Sequence, residues 1–255
     1  FDFEELKRLF HTWGKEMSDH DGWSALFWNN HYQPRALNRF VNVENFRNEG
    51  ATMLAASIHL SRGTPYIYMG EEIGMVDPDY DSMEDYVDVE SVNAYQSLLA
   101  EGQSPEAAFR IIKAKSRDNS RTPMQWDDSA NAGFTTGTPW LKAGKSYPII
   151  NVENEIKGPI FSFYQKLIAL RKELPIIAEG SYQPAYEDSP QVYAFEREWQ
   201  GQKLLVLNNF YKDPITVDIL PDYQNGQVLL SNYGRTQIDH ILTLQPYETL
   251  AILVN

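Results

Sequence analysis

Cysteine is absent from the 255 residues. Disulfides, thiolate metal sites and cysteine nucleophiles are thereby excluded, and the composition fits the cytoplasm, where disulfides are rare. Long apolar runs are missing too. Nothing approaches the roughly 18 consecutive apolar residues of a membrane-spanning helix. No secretory leader is visible, and the chain opens at Phe1 without Met, as an internal fragment would. Basic residues are scarce beside acidic ones, 22 against 35, for a net charge of −13. So acidic a surface disfavours nucleic acid and anionic membrane as partners and suits a neutral ligand such as a sugar. The acidic run over 77–90 lacks the glycine and spacing of a calcium loop and reads as a solvated face. No metal and no cofactor is expected.

What is present is aromatic and periodic. Aromatic residues make up 13% of the chain, with 6 Trp and 15 Tyr. Such rings serve as platforms for pyranose sugars or simply pack. Over 3–19, apolar Phe3, Leu6, Leu9, Phe10, Trp13 and Met17 recur every three or four residues, which predicts an amphipathic helix. Asp2, Glu4 and Glu5 at its start complement the helix dipole. A turn at Asp21-Gly22 leads to a strand over 24–28, then a loop, then a helix over about 48–61 that Gly63-Thr64-Pro65 breaks. Residues 65–69 predict a second short buried strand. Strand, helix, strand at this spacing is a βαβ unit of a parallel sheet.

Residues 73–158 form a long irregular excursion with helices near 89–100 and 104–115, and 159–173 is again an amphipathic helix. Excursions of that length after one strand are usually functional. From about Gly180 the texture changes to short apolar segments, 192–195, 203–207, 215–217, 228–230 and 249–253, separated by Asp213-Pro214, Asn225-Gly226 and Tyr233-Gly234. Strands with turns at such intervals predict an antiparallel sandwich. The chain thus carries about two βα units where a closed (β/α)8 barrel needs eight. The expected architecture is the C-terminal part of a (β/α)8 TIM barrel, residues 1–175, followed by a β-sandwich, 176–255.

The segment Phe27-Trp28-Asn29-Asn30-His31-Tyr32-Gln33-Pro34-Arg35 follows an apolar strand, where a barrel enzyme keeps its site. Four segments carry a resemblance: 27–40 (FWNNHYQPRALNRF), 63–75 (GTPYIYMGEEIGM), 116–126 (SRDNSRTPMQW) and 150–171 (INVENEIKGPIFSFYQKLIALR). They are similar to the α-amylase superfamily, glycoside hydrolase family 13, in its α-glucosidase branch. Within that branch the third segment resembles oligo-1,6-glucosidases, dextran glucosidases and trehalose-6-phosphate hydrolases. The wording around 142–147 leans toward the last.

The resemblance implies a retaining glycosidase. Such an enzyme places a carboxylate nucleophile and a carboxylic acid about 5 Å apart around an oxocarbenium-like transition state. In the family both come from strands four and five, which this chain lacks. What remains is the supporting shell. His31 is implied as donor to a hydroxyl of the cleaved sugar, although a loop histidine can be purely structural. Tyr32 stands where the family carries a transition-state-stabilising Asp. A phenol with a pKa near 10 is neutral at pH 7 and cannot oppose a developing cation. Natural divergence, an engineered change and a sequence error are all compatible with that letter. Arg117 is implied to reach the far hydroxyls of the same sugar, against the alternative of a surface ion pair, with Arg121 as its structural partner. Glu90 is implied to line the neighbouring subsite, against the alternative of an acid at a helix N-terminus. Glu71 and Glu72 are expected to brace their loop rather than catalyse.

Two functions compete. One is the C-terminal portion of an α-glucosidase acting on trehalose 6-phosphate or α-1,6-linked oligosaccharides, inactive alone and partnered by a missing N-terminal barrel half. The other is a non-catalytic carbohydrate-binding or interaction module on the same scaffold. A sandwich protein unrelated to the glycosidases conflicts with the third segment.

Overall fold

The computed structural model describes residues 1–255. In chain order it contains α1 (Phe3–Asp19), β1 (Ala25–Leu26), α2 (Ala36–Phe40), α3 (Val43–His59), β2 (Thr64–Pro65), α4 (Val89–Ala100), α5 (Pro105–Lys115), α6 (Val152–Glu155), α7 (Pro159–Glu173) and α8 (Ile176–Glu179). Strands β3 (Ser181–Ala185), β4 (Val192–Trp199), β5 (Gln202–Asn209), β6 (Ile215–Asp218), β7 (Gln227–Ser231), β8 (Ile241–Leu244) and β9 (Thr249–Val254) follow. They pack as two compact units. One comprises 1–27, 40–66 and 162–255, and the other 28–39 and 67–161. The first unit therefore runs across position 176 and groups α1 and α3 with the C-terminal strands.

In the first unit β1 and β2 pair in parallel, Ala25 opposite Thr64 and Leu26 opposite Pro65, with α3 as the crossover. This is the expected βαβ unit. Its strands are two residues long instead of five. Thr64 N–H donates to Ser24 O at 2.7 Å and Tyr66 N–H to Leu26 O at 2.8 Å, while Pro65 between them has no N–H to give. The flanking apolar residues Phe27, Tyr66, Ile67 and Met69 are exposed rather than buried. A parallel strand buries its side chains when both faces of its sheet are covered, and these residues of the two-stranded sheet are left uncovered. Gly63 makes the turn into β2 at φ +140, where a Cβ would meet Ser24 O at 2.3 Å.

Helix α3 starts five residues ahead of the expected 48, after Asn42, with a non-helical residue at Phe46. From Gly50 to His59 every residue is buried, the polar Thr52, Ser57 and His59 included, so its inner half is enclosed all round. Helix α1 has its expected bounds. The Asp2 side chain caps it by accepting from Glu5 N–H at 3.0 Å. Its buried face is narrower than the apolar stripe, consisting of Phe3, Lys7 and His11, and Trp13 stays 58% exposed.

The C-terminal strands form a five-stranded antiparallel sheet, β3-β4-β5-β9-β7, facing a two-stranded β6-β8 sheet. Val192, Ala194, Leu205, Leu207, Val217, Leu242, Leu244, Leu250 and Ile252 fill the space between. β8 alternates exposed and buried residues, as a sandwich strand should. β5 is buried on both faces from Leu204 to Asn209, because α3 and α8 cover the side turned away from β6-β8. Strands β3 and β8 were not expected. Ser181–Ala185 is polar and holds Pro184, and Ile241–Leu244 is only four residues long, so neither shows a strand period.

His59, at the end of α3, is buried, and neither ring nitrogen has a hydrogen-bond partner. Its ring meets Tyr164 edge-on at 5.5 Å. Burial, then the Arg171 charge, pushes its pKa down to about 4. The folded pKa lies below the unfolded one, so the stabilisation is complete above pH 6.5 and is lost as pH falls toward 4. Replacing His59→Leu is expected to lessen the stability lost between pH 7 and pH 5 by on the order of 2 kcal/mol. Urea midpoints of both proteins at the two pH values check this, and equal losses would contradict it.

In the second unit α4 and α5 pack on each other over Tyr80, Tyr86 and Ile112, with Tyr95, Leu98 and Phe109 at the edge. A second small core gathers Ile73, Met75, Met124 and Ile150. Ser104 Oγ accepts from Ala107 N–H at 3.2 Å and Pro105 takes the first turn, which starts α5.

Candidate functional site

Residues 28–36 are held by their own amides and by buried polar partners. Asn29 is buried. Its Nδ2 donates to Glu71 Oε2 at 2.6 Å, and its Oδ1 accepts from Ala36 N–H at 2.7 Å. Glu71 thus braces the 28–36 loop, where the expectation was its own loop after the second strand. Arg35 is wholly buried, donating through Nη1 to Met69 O at 2.7 Å, while its N–H donates to Asp77 Oδ1 at 2.9 Å. Asp77 also accepts from Asn119 Nδ2 at 3.3 Å. Burial pushes the Asp77 carboxyl up to about 7, against the opposing pull of Arg35 and Asn119. Asn30 closes a local turn by accepting from Tyr32 N–H at 2.7 Å. The loop's carbonyls are taken as well, with Ser120 Oγ donating to Asn30 O at 2.9 Å and Arg121 Nε to His31 O at 2.8 Å. With the backbone pinned from beneath, the His31 and Tyr32 side chains are left in solvent. Their ring centroids lie 4.2 Å apart, and Tyr32 is 60% exposed.

The segment 116–121 supplies the other half. Ser116 Oγ accepts from Asp118 N–H at 3.2 Å and starts a tight turn over Arg117–Ser120. Arg117 places its Cζ 5.8 Å from the Tyr32 ring centroid, within cation–π range. It also donates through Nε to Asp88 Oδ2 at 3.0 Å and through Nη2 to Asp88 Oδ1 at 2.5 Å, the paired geometry a guanidinium favours. Glu90 Oε2 lies 3.3 Å from Nη2. His31, Tyr32, Arg117 and Glu90 therefore converge on one cluster, although 85 positions separate Tyr32 from Arg117.

Asp88, which the sequence reading passed over in favour of Glu90, is the hub. It is 4% exposed, caps α4 by accepting from Ser91 N–H and Ser91 Oγ, and also faces Arg121 Nη1 at 3.5 Å. Burial alone would raise its carboxyl, but Arg117 and Ser91 more than offset this and hold it below the usual value. Asp118 Oδ2 accepts from Val87 N–H and Asp88 N–H, both at 2.9 Å, and so fixes the cap. The signal was available: an Asp just ahead of the helical pattern at 89–100 is a capping position. Arg121 is the structural partner expected. Elsewhere, the acidic run is more engaged than a solvated face, with Lys113 on Asp79 and Lys145 on Asp81, each at 2.5 Å, and Lys142 on Asp85.

Chemically, the cluster offers an exposed imidazole, an exposed phenol and the Nη1 side of one guanidinium, with the Nε–Nη2 edge committed to Asp88. Asp88→Ala removes the cap and the carboxylate that two arginines share, leaving Arg117 with Glu90 and Arg121 with Asp118. The expected destabilisation is about 2–4 kcal/mol, because both arginines keep some contact with water. Asp88→Asn keeps the capping oxygen and is expected to recover about 1 kcal/mol of that. Chemical denaturation of the three proteins checks this. A loss under about 0.5 kcal/mol, as at an ordinary surface position, would remove Asp88 as the hub.

Residues 1–180 match the model of the alpha-amylase catalytic domain, and residues 192–250 match that of the alpha-amylase SusG C-terminal domain. A trehalose-6-phosphate hydrolase of Bacillus subtilis (strain 168) is 42% identical over 98% of this chain and 46% of its own length. An oligo-1,6-glucosidase of Halalkalibacterium halodurans is 43% identical over 99% of this chain and 46% of its own. Among solved structures, Bacillus licheniformis trehalose-6-phosphate hydrolase superposes with a TM-score of 0.95 at 43% identity, covering 99% of this chain and 47% of that one. The chain thus spans about half the length of the curated relatives it matches. With the parallel β1-α3-β2 unit in the segment that matches the catalytic domain and the antiparallel sheets in the segment that matches the C-terminal one, the chain belongs to the alpha-amylase family of glycoside hydrolases, as the C-terminal part of its TIM barrel followed by a β-sandwich.

Proposed function

We propose that the chain is the C-terminal portion of a retaining α-glucosidase acting on small α-glucosides, either trehalose 6-phosphate or α-1,6-linked oligosaccharides, in cytoplasmic carbohydrate metabolism. The observation that carries this reading is end-to-end similarity, at 42–43% identity, to enzymes of those names over only 46% of their length. The convergence of His31, Tyr32, Arg117 and Glu90 supports it. On this reading the carboxylate nucleophile and the acid lie in the barrel half that the chain does not contain. That half is its partner, in cis or in trans. His31 donates to a hydroxyl of the bound sugar, Tyr32 occupies the position of the family's Asp, Arg117 reaches the far hydroxyls through Nη1, and Glu90 lines the next subsite. On this reading the border between barrel-derived and sandwich segments lies near residue 176; the two family matches cover 1–180 and 192–250.

A second reading, a non-catalytic sugar-binding or interaction module, is favoured by one observation. The exposed Tyr32 ring sits against Arg117, whose paired edge is already committed to Asp88. The two readings part in one experiment. The chain is joined to the barrel half encoded upstream and assayed on p-nitrophenyl α-glucoside, isomaltose and trehalose 6-phosphate. Turnover supports the enzyme. Sugar binding without turnover supports the module.

A further inference from the structure

Two segments meet at the cluster around Tyr32: the 28–36 loop, which carries His31 and Tyr32, and the 117–120 turn, which carries Arg117. Two ties between them end on carbonyls. Ser120 Oγ donates to Asn30 O at 2.9 Å, and Arg121 Nε donates to His31 O at 2.8 Å. Neither changes across the neutral pH range. A third tie passes through the Asp77 carboxyl. Its Oδ1 accepts from Arg35 N–H at 2.9 Å, at the end of the loop, and its Oδ2 accepts from Asn119 Nδ2 at 3.3 Å, within the turn. Asp77 N–H donates in return to Asn38 Oδ1 at 2.8 Å, which anchors its backbone to α2.

Both groups that face the carboxyl are donors, and neither can become an acceptor. Arg35 offers a backbone N–H. Asn119 is wholly buried; its Nδ2 also donates to Lys113 O at 2.8 Å, and its Oδ1 accepts from Tyr86 Oη at 3.4 Å. Turning that amide over would set Oδ1 against the Lys113 carbonyl. An ionised carboxylate satisfies both donors. A carboxylic acid adds an O–H whose proton neither partner can accept.

Of the charged groups around it, Arg35 in the loop favours ionisation. The Tyr86 phenol, ahead of α4, stays neutral because burial pushes it far above its usual value. Lys113, on α5, turns its ammonium to Asp79 at 2.5 Å, and Lys145 turns to Asp81 at 2.5 Å. Asp118, in the turn, is engaged by Val87 and Asp88 N–H and faces Arg121 Nη1 at 3.7 Å. Burial outweighs Arg35 and Asn119 and brings the Asp77 carboxyl up to about 7. The folded value lies above the ordinary 3.8, so proton uptake favours the folded state, and stability rises as pH falls through 7. Changes in the cluster over that range are therefore not the onset of unfolding at this residue.

We propose that Asp77 is a positioning residue: while ionised it clasps the loop of His31 and Tyr32 to the turn of Arg117, and proton uptake opens the clasp and loosens the two segments against each other. The α-glucosidase reading supplies what the cluster binds, and the clasp itself stands without it.

The first arm of the test uses the 255-residue chain and no sugar. NMR follows the Asp77 carboxyl carbon, the Tyr32 ring and Arg117 Nε from about pH 5 to pH 8, in a His31→Gln background because histidines titrate in the same range. The three signals should move with one midpoint near 7. Asp77→Asn, which cannot ionise, should leave Tyr32 and Arg117 flat. Should that variant fold poorly, Asn119→Ser, which cuts the tie to the turn, should leave them flat while Asp77 still titrates. The urea midpoint of the wild type should rise relative to that of Asp77→Asn as pH falls from 8 to 6. The second arm uses the chain joined to its upstream half. The ratio of wild-type to Asp77→Asn kcat/KM should fall about tenfold from pH 8 to pH 6, following the ionised fraction of one group, with the loss mainly in kcat. Tyr32 and Arg117 signals that ignore the Asp77 titration, or that move equally in Asp77→Asn, would overturn the clasp. Matching pH profiles of two active joined proteins would overturn its positioning role. A joined protein without turnover would defeat the glucosidase reading instead, and the first arm alone would then decide the clasp.

Discussion

The isolated 255-residue chain is expected to hydrolyse p-nitrophenyl α-glucoside, isomaltose and trehalose 6-phosphate at a rate at least a hundredfold below the roughly 10 per second of a median enzyme. The physical reason is the chemistry of the bond. A retaining glycosidase needs a nucleophilic carboxylate and a proton donor about 5 Å apart on opposite sides of the anomeric carbon. In the cluster around Tyr32 the buried carboxylate, Asp88, is tied to Arg117 and Arg121 and held below its usual pKa, so it donates no proton at neutral pH. The exposed one, Glu90, sits against Arg117. Asp88 is therefore not an acid poised near 7. Supplying the upstream half as a separate polypeptide or as a fusion is expected to restore turnover. Activity of the chain by itself, within a hundredfold of the joined protein, would defeat the assignment of the nucleophile and acid to the absent half.

The second large effect concerns position 32. In the complete protein, Tyr32→Asp is expected to raise kcat about a hundredfold or more, the range associated with one preorganised electrostatic group aimed at developing charge. Tyr32 now presents a neutral, bulky ring between His31 at 4.2 Å and the Arg117 guanidinium at 5.8 Å. A carboxylate there is smaller, carries charge opposite to an oxocarbenium ion, and leaves the sugar site less crowded. The gain should lie mainly in kcat, because the interaction strengthens as positive charge develops. Tyr32→Phe serves as the control and is expected to change kcat less than threefold on the same reasoning. If Tyr32→Asp leaves kcat unchanged or lowers it, residue 32 does not occupy the family's Asp position.

Much of the local structure was legible in the order of residues. The 3.6-residue period and acidic start of 3–19 predict α1 to the residue, and 159–173 likewise predicts α7, because amphipathic helices advertise both their face and their caps. The glycine at 63 and the prolines at 65 and 105 mark breaks and starts through fixed backbone preferences. The convergence of His31, Tyr32, Arg117 and Glu90 was legible only through motifs, since periodicity contains no information about contacts across 85 positions. Glu71 as a brace followed from its place after a strand, though not which loop it holds.

What only tertiary structure decided is what each side chain meets. The five-residue strands expected at 24–28 and 65–69 shrink to two, because strand length depends on neighbours to pair with and each has one neighbour here. The apolar segment 203–207 is buried on both faces where a sandwich strand would have one side wet, because α3 and α8 lie on that side. Asp88 becomes the hub of the site by capping α4 at the place where Arg117 and Arg121 arrive. A carboxyl brought up to about 7 at Asp77 is likewise a property of burial and neighbours, which no residue carries alone. The sequence by itself determined the longer helices, the turns, the strand-rich second half and the family, but not the short helices α2, α6 and α8. The fold decided which polar groups are satisfied, since hydrogen bonds and desolvation depend on three-dimensional proximity and not on order along the chain.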